Sequence, residues 1–139
     1  TGRTLPDIAT NHPNQVWFTV PGADRMIGYE VDIDDFSVHT LTNPFFAARE
    51  PAGIAVDSKV HNDWDGGYPW VTAYASNVVG RYSPSTNSGW DWYRIPTPDS
   101  GPRSVAFQDN GDTWDIWFTQ ENVDRVGRLQ LLNAKGSLK

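Results

Sequence analysis

The hydrophobic positions of this chain fall in short runs, each stopped by Pro, Gly, Asn, Asp or Ser, and nowhere at the spacing of an amphipathic helix. The pattern predicts nearly pure β structure. Its middle section is the clearest. Pro51-Ala52-Gly53-Ile54-Ala55-Val56-Asp57 reads as a turn and then an apolar run, which suits a strand buried on both faces. A second strand is predicted around Trp70-Val71-Thr72, and a third at Val78-Val79-Gly80-Arg81-Tyr82. The turn cluster Ser83-Pro84-Ser85-Thr86-Asn87-Ser88-Gly89 precedes an alternating fourth strand from Trp90 to Ile95, which Pro96 stops.

The same order of elements appears before and after this section. Upstream, Asp7 to Thr10 is a poor inner strand, Gln15–Val20 and Met26–Val31 are good ones, and Ser37–Leu41 is the fourth. Downstream, Pro102–Phe107, Trp114–Thr119 and Val126–Leu129 repeat the first three strands around an Asp109-Asn110-Gly111-Asp112 turn. The fourth strand there is incomplete, since Leu131 to Lys139 is short and polar. Trp17-Phe18-Thr19 with Gly28, Trp70-Val71-Thr72 with Gly80, and Trp117-Phe118-Thr119 with Gly127 mark the copies. Trp-to-Trp steps of 53 and 47 place the period near 50, the signature of propeller blades.

The predicted fold is therefore all-β: β-propeller blades of four-stranded antiparallel sheets in three repeats, half or a fragment of a six- or seven-bladed propeller. The blades span about 6–43, 51–96 and 102–139 of a single segment, 1–139. Trp17, Trp70 and Trp117 are expected as wedges between blades. Gly28, Gly80 and Gly127 are expected in register, where a side chain would strike a neighbouring backbone or the strand would bulge.

Composition narrows the function. Net charge is −6, so no basic stripe offers phosphates a partner, and nucleic acid is excluded. There is no long apolar run, so no membrane insertion is expected. The absence of cysteine excludes a disulfide scaffold, a zinc ribbon and a thiol enzyme. It fits an exported protein, extracellular or periplasmic, with no signal visible; a start at Thr1 is compatible with a processed or truncated chain.

The strings Pro51-Ala52-Gly53-Ile54-Ala55, Tyr93-Arg94-Ile95-Pro96-Thr97-Pro98 and Trp117-Phe118-Thr119-Gln120…Val126-Gly127-Arg128 resemble the blade signature of the virginiamycin B (streptogramin) lyases. The resemblance covers almost the whole chain. It implies a seven-bladed ring in chains about twice this long, with magnesium and His and Glu residues around a central channel opening a cyclic ester by elimination. That chemistry needs a base and a cation. The signature's Glu after Trp-Phe-Thr is Val20, Ala73 and Gln120 here, with Glu121 one residue on, on the opposite face of a continuing strand. His12, His39 and His61 occupy none of the signature's positions. No catalytic residue is assigned, and the expected role is a non-catalytic binding or scaffold segment.

Several residues are candidates for binding. Gln120 and Glu121 sit beside the repeat. Trp64, on the inserted loop Lys59 to Gly67, is a candidate anchor, and Asp63 and Asp65 beside it supply hard oxygens for magnesium or calcium, against the simpler reading of a solvated loop. Trp90 and Trp92 share one face of an outer strand and Tyr93 takes the other. That pair is suited to stacking on a sugar, packing on a neighbouring subunit or covering the blade edge. Asp32, Asp34 and Asp35 read as a solvated turn, and the recurring Asp24-Arg25 and Asp124-Arg125 as a turn or a local ion pair.

Three blades leave two apolar faces that something must cover. The expected partner is another copy of the chain, giving a six-bladed ring with a two-fold axis, or another propeller segment, the chain otherwise being part of a larger propeller. A small-molecule or glycan ligand, in lectin fashion, stays open.

Overall fold

The computed structural model describes residues 5–12, 14–43, 45–57, 67–83 and 89–132. The inserted loop with Asp63, Trp64, Asp65 and His61, the interior of the Ser83–Gly89 turn, the first four residues and the stretch after Leu132 lie outside them. The protein is all-β and built as propeller blades. The first sheet runs β1 (Ile8–His12), β2 (Gln15–Val20), β3 (Arg25–Glu30) and β4 (Asp35–Thr40), in that spatial order. A small hairpin of β5 (Thr42–Asn43) and β6 (Phe46–Ala47) follows. The second sheet is β7 (Pro51–Val56), β8 (Pro69–Ala73), β9 (Val78–Tyr82) and β10 (Trp90–Arg94), again in sequence order. The third holds β11 (Pro102–Asp109), β12 (Thr113–Gln120) and β13 (Arg125–Leu132). All pairs within the sheets are antiparallel.

The strand expected to be poor, Asp7 to Thr10, forms a true inner strand. Asp7 itself stays outside β1, its carboxylate accepting the Ile8 N–H locally and the Ile54 N–H of the second sheet at 3.0 Å. Strands β1, β7 and β11 are neighbours, with β7 between the others, and form the inner layer of the blade stack.

Among the described residues, two apolar cores lie between the sheets rather than within them. The first joins Trp17 and Met26 of blade 1 to Ile54, Val71, Ala73, Val78 and Trp90 of blade 2, with Leu41 and Ala48 of the connection. The second joins Trp70, Val79 and Ile95 of blade 2 to Ile116 and Phe118 of blade 3. Trp17 and Trp70 thus each point from their own blade to the next, which a strand alternating between faces permits.

The three marker glycines are not equivalent. Gly80 pairs with Val71 and Gly127 with Phe118, but Gly28 pairs with Trp17 itself. The Trp-to-Gly spacing is 11 in blade 1 and 10 in the others, and one residue moves a side chain to the opposite face. Ile27 takes the slot of Gly80 and Gly127, and Gly28 takes that of Arg81 and Arg128. Nor does any of the three face a backbone. A Cβ at Gly80 would enter the Trp92 ring, one at Gly127 the Phe118 ring, and one at Gly28 would lie 2.7 Å from the Trp17 ring. Their strands pair without a bulge. Backbone is met instead at Gly67, where a Cβ would overlap the Asp57 carbonyl oxygen, and across the sheets at Gly53, where it would overlap the Arg103 carbonyl oxygen and sit 3.1 Å from the Ser104 Cα.

Candidate functional site

The inner strands carry the register shifts, between Pro51 and Ile54 in blade 2 and between Pro102 and Val105 in blade 3. A shift leaves backbone groups outside the ladder, and buried ones need partners. The repeat threonine supplies them. Thr72 Oγ1 accepts the Gly53 N–H at 2.9 Å and donates to the Arg103 carbonyl of blade 3 at 2.6 Å. Thr19 Oγ1 accepts the Asp7 N–H at 2.9 Å and donates to the Ala52 carbonyl of blade 2 at 3.0 Å. Each hydroxyl closes its own blade and fastens it to the next. Thr119 accepts the Ser104 N–H at 3.0 Å, and among the described residues no next-blade carbonyl meets its hydroxyl.

The same break appears at every equivalent position. Trp17 and Trp70 are 4% and 0% exposed, whereas Trp117 is half-buried, its indole N–H bonded to Gln108 Oε1 at 2.8 Å and Arg128 lying 5.3 Å over its ring. Thr19 and Thr72 are buried and Thr119 is exposed. Opposite them, Met26 and Val79 are buried while Val126 is 64% exposed. Trp117 is thus a wedge with its outward side uncovered. Blade 1 presents the converse face. Ile8, Phe36 and Val38 are exposed, and Phe18 and Ile27 are half-buried, at the positions where blade 2 packs Ile54, Trp90, Trp92, Val71 and Gly80 against blade 1.

A polar cluster lies where blades 2 and 3 meet at the start of β11. The Tyr74 hydroxyl donates to Asn122 Oδ1 at 2.9 Å and reaches Glu121 Oε2 at 3.3 Å. Arg103 grips Glu121 through its Nε and one terminal nitrogen, and its guanidinium lies 5.2 Å from the centre of the Tyr74 ring. Glu121 was expected on a continuing strand. It instead opens the 3-10 turn Glu121–Val123, because its N–H and that of Asn122 bond the carbonyls of Gly101 and Ser100. The hydrogen bonds from Arg103 hold its carboxyl below the usual range, against a smaller opposing effect of burial, and the same contact raises the Arg103 guanidinium. A carboxylate so held is a poor proton acceptor at neutral pH. Gln120 points the other way, 5% exposed on the Phe118 face, with its Oε1 meeting no donor among the described residues.

Trp90 and Trp92 stack with ring centres 4.6 Å apart and planes 12° from parallel. They fill the junction with blade 1: the Trp90 indole donates to the Thr40 carbonyl at 2.8 Å, and Trp92 lies over Gly80 and edge-on to Phe46. Trp90 is buried, and the exposed edge of Trp92 shares a shallow hollow of about 250 Å³ with Asn43, Phe45, Phe46 and Arg94. Tyr93, on the other face, stacks on Trp70. This outer-strand pair and the Gln120/Glu121 pair lie on different blades and are not brought together.

The recurring Asp-Arg pairs are turn devices. Asp24, Asn77 and Asp124 hold the same left-handed conformation, with φ of 52°, 57° and 51°. Asp24 Oδ1 accepts the Glu50 N–H, and Asn77 Oδ1 the Ser100 N–H, tying each hairpin to the connection into the next blade. Asp34 likewise sits in a left-handed turn and accepts the Tyr29 hydroxyl. Sequence reasoning missed the threonines and Arg103. The threonine was visible in the repeat, but its carbonyl partner is 33 or 31 residues away. Among the described residues no three His, Cys, Asp or Glu gather as a metal site, and no helix is long and apolar enough to cross a membrane.

No protein-family model matches the sequence, and neither does any curated protein. Solved structures do. A streptogramin B lyase structure is 26% identical over 99% of this chain and 44% of its own, with a TM-score of 0.66. Virginiamycin B lyase from Staphylococcus aureus gives 26% identity, the same coverages and a TM-score of 0.64. The extracellular domain of a candidate one-component system from B. thetaiotaomicron is 12% identical, covering 91% of this chain and 17% of its own, with a TM-score of 0.54. The chain therefore resembles part of the streptogramin lyase propeller and spans less than half the length of those lyases.

Proposed function

We propose that this chain is a non-catalytic propeller segment, a binding or scaffold unit whose end faces dock on further blades, from another copy or a second propeller chain. The carrying observation is the contrast at equivalent positions: Met26 and Val79 are buried between blades, while Val126 is 64% exposed beside Trp117 and Thr119. An exposed apolar face bounded by polar groups is the usual mark of an interface. The residues after the repeat threonines support the non-catalytic half: Val20 and Ala73 are apolar and Gln120 is buried. An exported location is part of the proposal, supported by the lack of cysteine and by the extracellular neighbour.

Sedimentation over a dilution series tests docking. A species larger than the 15.5 kDa chain is expected, alone or with a second propeller segment supplied in trans. A folded 15.5 kDa species under every condition overturns it.

A second reading, favoured by the 26% likeness to streptogramin B lyases, is a magnesium-dependent lyase acting once its ring is complete. Incubation with a streptogramin B and magnesium separates the two. Ring opening supports the lyase, and an unchanged antibiotic supports the scaffold.

A further inference from the structure

A guanidinium stands beside the repeat tryptophan in blades 2 and 3 but not in blade 1. Arg81 pairs with Trp70 across β8 and β9, and Arg128 with Trp117 across β12 and β13. The Arg81 guanidinium lies 5.9 Å from the centre of the Trp70 ring and bonds the Asp91 carboxylate at 2.9 Å. That of Arg128 lies 5.3 Å from the Trp117 ring and 3.8 Å from the Asp115 carboxylate. The position opposite Trp17 is Gly28. Polar groups still surround it. Gln15 precedes Trp17 by two residues, as Asp115 precedes Trp117. Ser37 stands opposite Gly28, as Asp91 stands opposite Arg81, and Glu30 takes the place of Gln130. With no side chain on Gly28, a hollow of about 70 Å³ opens there, lined also by Gln15, Trp17, Glu30, Ser37 and His39. Gln15 Oε1 is buried and meets no donor, and Glu30 forms no ion pair among the described residues. A buried acceptor without a donor is costly, so the hollow favours a group rich in N–H donors. Burial holds the His39 pKa below the usual 6.5, so its ring is uncharged at neutral pH and does not repel a cation.

We propose that the hollow at Gly28 binds a guanidinium group from outside the chain, carried by an arginine side chain or by a small guanidino compound. Glu30 supplies the carboxylate and Gln15 Oε1 the second acceptor. The planar fork of N–H donors on a guanidinium suits two acceptors on neighbouring strands better than the point charge of an ammonium does. Trp17 forms the aromatic wall that Trp70 and Trp117 form for Arg81 and Arg128. Ser37 and His39 bond each other at 2.9 Å and keep the far side polar. Tyr82 of blade 2 packs on both Trp17 and His39, so the site is built at a junction inside the chain and does not depend on the docking reading above. The blade that lacks its own guanidinium thus keeps the surroundings that hold one in its two neighbours.

Titration with methylguanidinium chloride at non-denaturing concentrations, followed by NMR at the Trp17 indole and the His39 ring, tests the site. Saturable shifts are expected, with a Kd of about a millimolar for so small a probe. Methylammonium at the same ionic strength should bind at least about threefold more weakly. Glu30→Gln keeps the shape of a half-buried side chain that forms no ion pair, so the fold should persist while binding weakens at least about tenfold. Gln15→Leu, which removes the other acceptor, should weaken it as well and serves as the second variant. A capped tripeptide with a central arginine separates the two sources. Tighter binding than methylguanidinium supports a partner's side chain, and binding no tighter supports a small guanidino compound. The proposal is overturned by the absence of saturable shifts, by equal binding of methylammonium, or by unchanged binding in a folded Glu30→Gln or Gln15→Leu chain.

Discussion

The Thr72 hydroxyl donates to the Arg103 carbonyl at 2.6 Å, a side-chain bond that spans two sheets and 31 residues. It also holds the Gly53 N–H, so one small residue satisfies two backbone groups that the irregular inner strands leave outside their ladders. Thr72→Val keeps the shape and removes both bonds. A loss of about 1–3 kcal/mol per buried unsatisfied group is expected. Thr119→Val, on the open face, should cost the monomer less. Urea denaturation of the two variants under dissociating conditions measures the difference, and equal losses would contradict the stitching role.

The tryptophans should follow the same order. Trp70 is fully buried between blades 2 and 3, and Trp70→Ala is expected to cost about 3–5 kcal/mol. Trp117→Ala removes a half-buried ring and should cost the isolated chain clearly less. The gap should narrow at concentrations where the chain associates, which thermal melts over a dilution series will read.

Glycine substitutions should rank by what the added methyl meets. Gly53→Ala drives a Cβ into the Arg103 carbonyl, and two sheets must part to accept it. Gly111→Ala meets nothing within 4 Å but forces an L residue to φ +85°, a strain of about 1–2 kcal/mol. Gly53→Ala should therefore be the more damaging, by at least about 1 kcal/mol over that baseline. Chemical denaturation of the two variants checks the order.

His39 makes the first blade junction sensitive to acid. Its ring packs 4.6 Å from Tyr82 of blade 2 and 5.7 Å from Trp17, and burial pushes its pKa below the usual 6.5. Its Nε2 meets Ser37 Oγ at 2.9 Å, and Glu30 lines the same hollow. Protonation is easier in the unfolded chain, so that state binds more protons as pH falls through about 6.5 toward the folded value. Stability is thus full above about pH 6.5 and declines below it. Glu121, with its folded pKa lowered, titrates only in more acidic solution. The urea midpoint should drop between about pH 7.5 and 5.5, and His39→Phe should flatten the slope. An unchanged slope in that variant would assign the effect to another group.

Much of this architecture was legible in the sequence, and the failures have specific causes. The β content and the period near 50 follow from strand-length hydrophobic runs and their stops, which are local properties. The repeat puts Gly28 in register with Gly80 and Gly127, but blade 1 carries one extra residue, and only the paired register shows which face a position takes. Trp90 and Trp92 were correctly placed on one face, but their burial against Thr40 and Phe46 depends on blade 1. Local sequence continues the strand through Glu121, and nothing nearby announces that Ser100 and Gly101 capture the backbone there.

The sequence by itself determined the blade as a unit, because alternation, turn residues and the Trp-x-Thr repeat all act within a few tens of residues. Only the tertiary structure decided what those marks are for. A threonine that reads as a strand former becomes a fastening when the next blade's carbonyl comes within 2.6 Å, and a tryptophan becomes core or open face according to whether a blade stands beside it. The physical reason is that burial and hydrogen-bond satisfaction belong to the packed neighbour, and Trp70 and Trp117 differ in their neighbours.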